Sequence, residues 1–292
     1  MNRIILLFAT YFIAAGVVGQ NFPKTILWEV TKKGNKHKSY LFGTFHEVSP
    51  AFFASLTNSE SKLNQSQVLY VEEQAERGRD SLSFNSIYQS QWDYRRWKTV
   101  LTDKQDSVFN AFVKKSEDSS YYNLSPTFLA ITVSRLYLKV YCEMDSTSFN
   151  TLMDNYIEEL AIRQNKKIYS LDENQANLLK KENDIVKTPQ YSSSALSTQF
   201  MRAILNDDFS YCYGMNSYKK FELNYEFETD FTQKTDDFVS IVKGNNKWLS
   251  ILSPSFLNNN CFVAVGIRHL FYKQGLIQQL KNLGYIVKPV SP

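Results

Sequence analysis

The sequence is poor in the residues that most often declare a chemistry. Its 292 residues include three histidines and three cysteines, and no two cysteines are spaced as C-x-x-C, which excludes a metal site of that type. Three cysteines do not make a disulfide framework either. Cys261 opens an apolar run and reads as a buried thiol, while for Cys142 and Cys212 a disulfide and two free thiols both stay open, pairing requiring export to an oxidising compartment. Charge of one sign is also missing: 33 Lys and Arg against 29 Asp and Glu leave a net charge of +4, too little to point to nucleic acid as a partner. No internal repeat and no Pro/Gly-rich linker divide the chain, so a single domain is expected over residues 20–292. The one loop-like shift in composition is "KTPQYSSSALS", from Lys187.

Long apolar runs are absent except at the start, where Arg3 precedes the stretch from Ile4 to Val18 and the small residues before Gln20. Residues 1–19 read as a secretory signal peptide. A run of about fifteen residues is short for a bilayer that needs roughly twenty. Export with cleavage, to the periplasm or the extracellular space, is therefore expected over a retained anchor, with no stable membrane span left afterwards.

What is present is a hydrophobic content of 43% with 15% aromatics, enough for a sizeable core. "TILWEV" and "SYLFGTFH" flank a polar turn at Gly34 and Asn35 and predict a hairpin, with His37 at the turn surface. A helical segment from Pro50 to Gln65 and the short strand "VLYVEE" follow. The middle is helical: Thr102 or Asp103 caps one helix, Ser125 and Pro126 open another, and "STSFNTLMDNYIEELAIRQ" supplies a third. A strand ends at Leu171, followed by a helix that Asp172 caps, and Glu173 adds a first-turn charge. The aromatic stretch from Asp207 to Phe238 reads as partly helical and as a cover for a cleft. "CFVAVG", a turn, a helix stopped by Gly284 and "YIVKPV" close the chain as a β-α-β unit. The fold class is mixed α/β, a central mixed sheet with flanking helices.

Two of the three histidines stand in the same setting. Gly43-Thr44-Phe45-His46 ends "SYLFG", and Gly266-Ile267-Arg268-His269 ends "CFVAVG". A glycine at a strand end lets the backbone turn or be approached closely, and a histidine three residues on can reach a shared crevice. GxxH alone is weak; its repetition at matching strand ends is the signal. The strand "VLYV" ends in Glu72 and Glu73, of which only one faces the crevice because successive strand residues alternate. Two imidazoles and a carboxylate suit a divalent transition metal with open positions, able to activate water and polarise a carbonyl. The bland accounts are a satisfied structural histidine, a solvated strand end for the glutamates, a solvated Arg268, and helix capping for Asp172.

These stretches, with "LWEVTKKGNKHKSYLFGTFHEVSP", "MDNYIEELAIRQNKKIYSLDENQANLL" and "CFVAVGIRHLFYKQGLIQQLKNLGYIVKPV", resemble the TraB/GumN family, relatives of the Tiki metalloproteases. The resemblance implies a strand-end site formed by two GxxH motifs and a peptidase-like activity that depends on a divalent metal, of the manganese, cobalt or zinc kind. It carries His46, His269 and Glu72 over as metal-site and catalytic residues, with Gly43 and Gly266 as motif glycines. Leu171-Asp172 and Gln175 match the family's Leu-Glu before a helix, with aspartate for glutamate. Asn245 and Trp248 match an Arg-Asn pair before a tryptophan, but Gly244 stands where the arginine is expected. Arg268, Lys243 or Lys247 is then the candidate substitute, and Glu73, Asp172 and Asn245 are secondary site candidates. Phe271-Tyr272-Lys273 replaces a loop in which the family often has glycine.

Two functions follow as expectations. One is an exported hydrolase acting on a peptide or protein substrate. The other is a catalytically degenerate scaffold that captures a peptide, signal molecule, metal or haem.

Overall fold

The first hairpin sets the frame. β1 (Leu27–Lys32) and β2 (Ser39–Thr44) pair antiparallel around a turn in which Gly34 takes a φ of +82°. A computed structural model describes residues 23–74, 92–143, 152–172, 190–230 and 236–292 of the chain. The signal-peptide stretch 1–19 lies outside them, as do Glu173, Gln175 and the helix expected after Asp172.

The segment after Pro50 forms two helices rather than one, α1 (Pro50–Ser55) and α2 (Thr57–Gln65). Ser49 caps the first, its hydroxyl accepting from the Ala51 N–H, and Pro50 occupies the first helical turn. β3 (Val68–Val71) follows. Next come α3 (Tyr94–Val100), α4 (Asp103–Ser116) and α5 (Pro126–Tyr137). Thr102 and Gln105 form a capping box at the start of α4. A π-helical stretch, Leu138–Glu143, continues α5.

After α6 (Met153–Arg163) and β4 (Lys167–Ser170) comes α7 (Gln190–Leu205). This corrects the loop expected from Lys187: the serine-rich composition hides a helix from Gln190 onward. Ser194, Ser197 and Thr198 are buried, and the Ser197 and Thr198 hydroxyls donate back to the Ser194 carbonyl. That bonding lets polar residues occupy a buried helix face.

Between α8 (Tyr213–Lys219) and α9 (Asp236–Asn258) the described residues 220–230 form no helix or strand, so the aromatic stretch from Asp207 is helical only in part. The chain ends with β5 (Cys261–Gly266), a 3-10 turn at Ile267–Leu270, α10 (Leu276–Asn282) and β6 (Tyr285–Val290).

The six strands form one mixed sheet in the order β4-β3-β5-β2-β1-β6. β2, β5, β3 and β4 run parallel, while β1 is antiparallel to both β2 and β6. The closing β-α-β unit thus keeps both strands in one sheet and in one sense, but β2 and β1 lie between them. β2 is buried along its whole length, as central strands covered on both faces are. A second apolar core joins α3, α4, α5 and α7 through Trp97, Phe109, Phe112, Leu129, Val133, Tyr137 and Met201. A Cys142–Cys212 disulfide ties the end of the π-helical stretch to the turn before α8. Cys261 is a buried free thiol. Among the described residues no helix is long and apolar enough to cross a membrane.

Candidate functional site

The sheet register decides what can meet. Thr44 pairs with Gly266, and Val71 pairs with Ala264 and Ser170, so β2, β5, β3 and β4 end along one edge. His46, Glu72, Asp172 and His269 all stand just past that edge, where ligands bind in open parallel sheets. His37 lies elsewhere, its Nδ1 3.1 Å from Asn260 Oδ1 beyond the opposite end of β5.

Gly266 is the centre of the arrangement. A Cβ placed there would be 3.0 Å from Glu72 Oε1, 3.9 Å from His269 Cδ2 and 3.9 Å from His46 Nε2. The Gly266 N–H donates to Glu72 Oε1 at 2.5 Å, and His269 Nε2 lies 3.6 Å from the same oxygen. Glu72, rather than Glu73, makes these contacts; Glu73 is half-buried at the next position. Gly43 has a different role. A Cβ there would come within 2.2 Å of Ile267 Cδ1 and 3.2 Å of Ile267 Cα, so its lack of a side chain lets the His269 turn pack against β2. Neither glycine has a positive φ. Close approach, rather than a sharp turn, is what each motif glycine provides.

Each histidine is held from behind. His46 Nδ1 faces Asp154 Oδ2 at 2.5 Å, and Thr44 donates to Asp154 Oδ1 at 2.6 Å. The His46 side chain keeps 40% of its surface exposed, whereas His269 keeps 13%. Asn245 donates its Nδ2 to the carbonyls of His269 and Gln274, so its Oδ1 accepts from His269 Nδ1 at 2.8 Å. That assignment leaves the lone pair of the neutral ring on Nε2, towards Glu72. Trp248 stacks on His269 with centroids 4.2 Å apart and donates its indole N–H to Asp172 Oδ1 at 2.7 Å. Asp172 therefore supports His269 through Trp248, and it reaches Glu72 directly by its charge and by its N–H, which donates to the Glu72 carbonyl at 2.8 Å. Gly244 faces the same ring, 3.7 Å from His269 Cε1 by its Cβ position.

The electrostatics divide the two rings. Burial acts to lower the His46 pKa, but the charge and hydrogen bond of Asp154, helped by Glu72 and Glu47, outweigh it and raise the ring from 6.5 to about 9. Burial acts to raise Asp154, and His46 with Thr44 hold it below its ordinary value instead. Burial raises Glu72 against the opposing His46 charge and Gly266 N–H. For His269, burial, then the charges of Arg268 and His46, lower the pKa to about 3. Arg268 is exposed and reaches the site by its field.

Two imidazoles and a carboxylate have the chemistry to hold a divalent transition metal, and the Nδ1 atoms of both rings are bonded from behind as such ligands require. Among the described residues no three His, Cys, Asp or Glu side chains stand close enough together to hold an ion as placed. Asp154 was not among the residues the sequence singled out. The sequence placed it inside the helix read over "STSFNTLMDNYIEELAIRQ", whereas the structure starts that helix at Met153 and so puts Asp154 in its first turn; the polar Thr44 at a buried strand end was the available clue.

Fold and site together define a mixed α/β protein with a histidine–carboxylate crevice at the carboxyl ends of its parallel strands. The chain belongs to the TraB/PrgY/gumN family, whose model matches residues 26–289. Comparison with curated proteins and with solved structures gives no match.

Proposed function

We propose that the protein is an exported peptidase-like hydrolase that depends on a divalent transition metal, manganese, cobalt or zinc, held by His46, His269 and Glu72. The observation that carries this reading is the pair of rings, each fixed through Nδ1 and each directing its other edge to the space beside Gly266. When bound, the ion would supply Lewis acidity towards a carbonyl and favour ionisation of water. The chain's own residues do the rest. His46 and His269 hold their orientation through Asp154 and Asn245, Glu72 is held in place by the Gly266 N–H, and Arg268 attracts the anionic end of a peptide or protein substrate. The Cys142–Cys212 disulfide supports an oxidising, exported location.

A capture protein on the same scaffold is the second reading, favoured by Gly244 where the family has arginine. Metal content and zinc affinity of the mature protein, beside His46→Ala/His269→Ala, test the first reading. Binding of one ion by the intact protein and none by the variant, with peptide cleavage lost on chelation, is the expected result. Ligand capture without turnover, unchanged by chelation, would replace it with the second.

A further inference from the structure

The first GxxH motif is gripped at every residue. The Gly43 carbonyl accepts from the Tyr218 hydroxyl at 2.8 Å, Thr44 donates to Asp154, and the His46 carbonyl accepts from the Met153 N–H at 3.4 Å. Tyr218 also packs on Phe45, the remaining residue. All of these grips except Tyr218 come from the first turn of α6, where a carboxylate is favoured by the helix dipole. Thr44 is 1% exposed, and its hydroxyl has Asp154 as its partner.

We propose that Asp154 is a positioning residue of this site: Thr44 fixes the orientation of its carboxylate through one oxygen, and the other accepts from His46 Nδ1, which directs the bare Nε2 of the neutral ring into the crevice beside Gly266. The motif in this chain is in effect Gly-Thr-x-His with a distant aspartate. A purely structural carboxylate has no need of a ring whose far edge is open. The His46 side chain is 40% exposed while its Nδ1 bond lies against a carboxylate only 18% exposed. The inference rests on the reading that His46 belongs to the functional site, but its geometry is testable without any ion.

The isosteric Asp154→Asn is the informative change. Thr44 would hold the amide oxygen, leaving the amide NH2 to donate to His46 Nδ1 and so moving the ring proton to Nε2. Imidazole nitrogen-15 spectra of the metal-free mature protein, at a pH where the ring is neutral, are expected to show the Nδ1–H form in the parent and the Nε2–H form in Asp154→Asn. Thr44→Val in the Asp154→Asn background, where nothing fixes which way the amide faces, is expected to give a mixture, and Thr44→Ser alone to keep the parent spectrum. Zinc affinity should fall about 10–100-fold in Asp154→Asn, as loss of such a partner does elsewhere. An unchanged tautomer in a folded Asp154→Asn overturns the proposal. If the parent binds no zinc, the metal reading fails while the spectra still decide the role of Asp154.

Discussion

The two motif glycines look alike in sequence, yet the structure gives each a different reason to lose when it is changed to alanine. At Gly266 the backbone is at φ −51° and ψ 134°, open to any residue. The new methyl would meet only Glu72 Oε1 closely, at 3.0 Å, a carboxylate at the end of a flexible side chain. Loss of chain entropy in the unfolded state favours the variant by about 0.4–1 kcal/mol. Weakening the Gly266 N–H bond to Glu72 costs about 1.5–3 kcal/mol if it is lost outright. The net is a destabilisation of about 1–2 kcal/mol. The methyl would also stand among Glu72, His46 and His269, so zinc affinity should fall well beyond the stability change. Gly43→Ala instead drives a methyl to 2.2 Å from Ile267 Cδ1 and 3.2 Å from Ile267 Cα. One contact is a side chain that can move, and the other is backbone that cannot without shifting the His269 turn. Overpacking of this kind costs about 1–3 kcal/mol, towards the upper end here. Urea unfolding gives the stabilities, and titration calorimetry with zinc gives the affinities. Gly266→Ala with zinc affinity within threefold of the parent would refute the placement of the crevice, and a fully stable Gly43→Ala would refute the packing argument.

Other consequences concern pH, the disulfide and the missing arginine. His46 is raised to about 9, so its contribution to stability is complete below 6.5 and is lost as pH rises through about 9. His269 is lowered to about 3, so its neutral ring contributes above 6.5 and that contribution is lost as pH falls from 6.5 through about 3. Melting temperature against pH should fall at both ends, with the alkaline limb flattened in His46→Ala and the acid limb in His269→Ala. The disulfide closes a sequence separation of 70, for which chain entropy gives a stabilisation of about 4 kcal/mol. Cys142→Ser/Cys212→Ser should show a loss of this order in denaturant unfolding, and a loss under about 1 kcal/mol would contradict it. A Cβ at Gly244 makes only ordinary contacts, none under 3.7 Å. Gly244→Arg should therefore fold and, if the protein is a hydrolase short of one cation, raise peptide cleavage by about a hundredfold. No gain in a folded variant would argue against that deficit.

Local patterns carried the strands, the turn at Gly34, the Thr102 cap and the repeated GxxH into plain view, because each is written within a few consecutive residues. The two strand-end histidines come together because β2 and β5 are parallel neighbours with Thr44 opposite Gly266, a pairing that follows from their apolar runs. The residues that support the site were less legible. Asp154 reaches His46 across 108 positions, and Trp248 reaches Asp172 across 76. Nothing local distinguishes these groups from a helix-start charge or a core indole. The α7 helix was obscured for the opposite reason: a serine-rich stretch carries local loop chemistry, but burial lets the Ser197 and Thr198 hydroxyls bond their own helix backbone. The separation of β5 from β6 by two strands was likewise invisible, since a crossover sets sense and sheet but not how many strands it spans.

The unequal support of the two rings gives the site a direction. His269 is buried, stacked on Trp248, held at Nδ1 by an amide and lowered to about 3. It offers a neutral nitrogen at any ordinary pH. His46 is open to the crevice, backed by a carboxylate and raised to about 9, so without an ion it carries a proton that an incoming cation must displace. Binding of a divalent ion at neutral pH should therefore release about one proton, and that proton comes from the exposed side of the site. The same asymmetry bears on Gly244. A guanidinium at that position would lie beside His269, whose ring is already subject to the Arg268 and His46 charges. With glycine there, exposed Arg268 supplies positive charge from the solvent side, where water screens it more than it would screen a half-buried group. A weaker but more accessible cation favours recognition of an anionic group on the ligand over stabilisation of charge as it develops. On this chain, ligand binding should survive better than turnover.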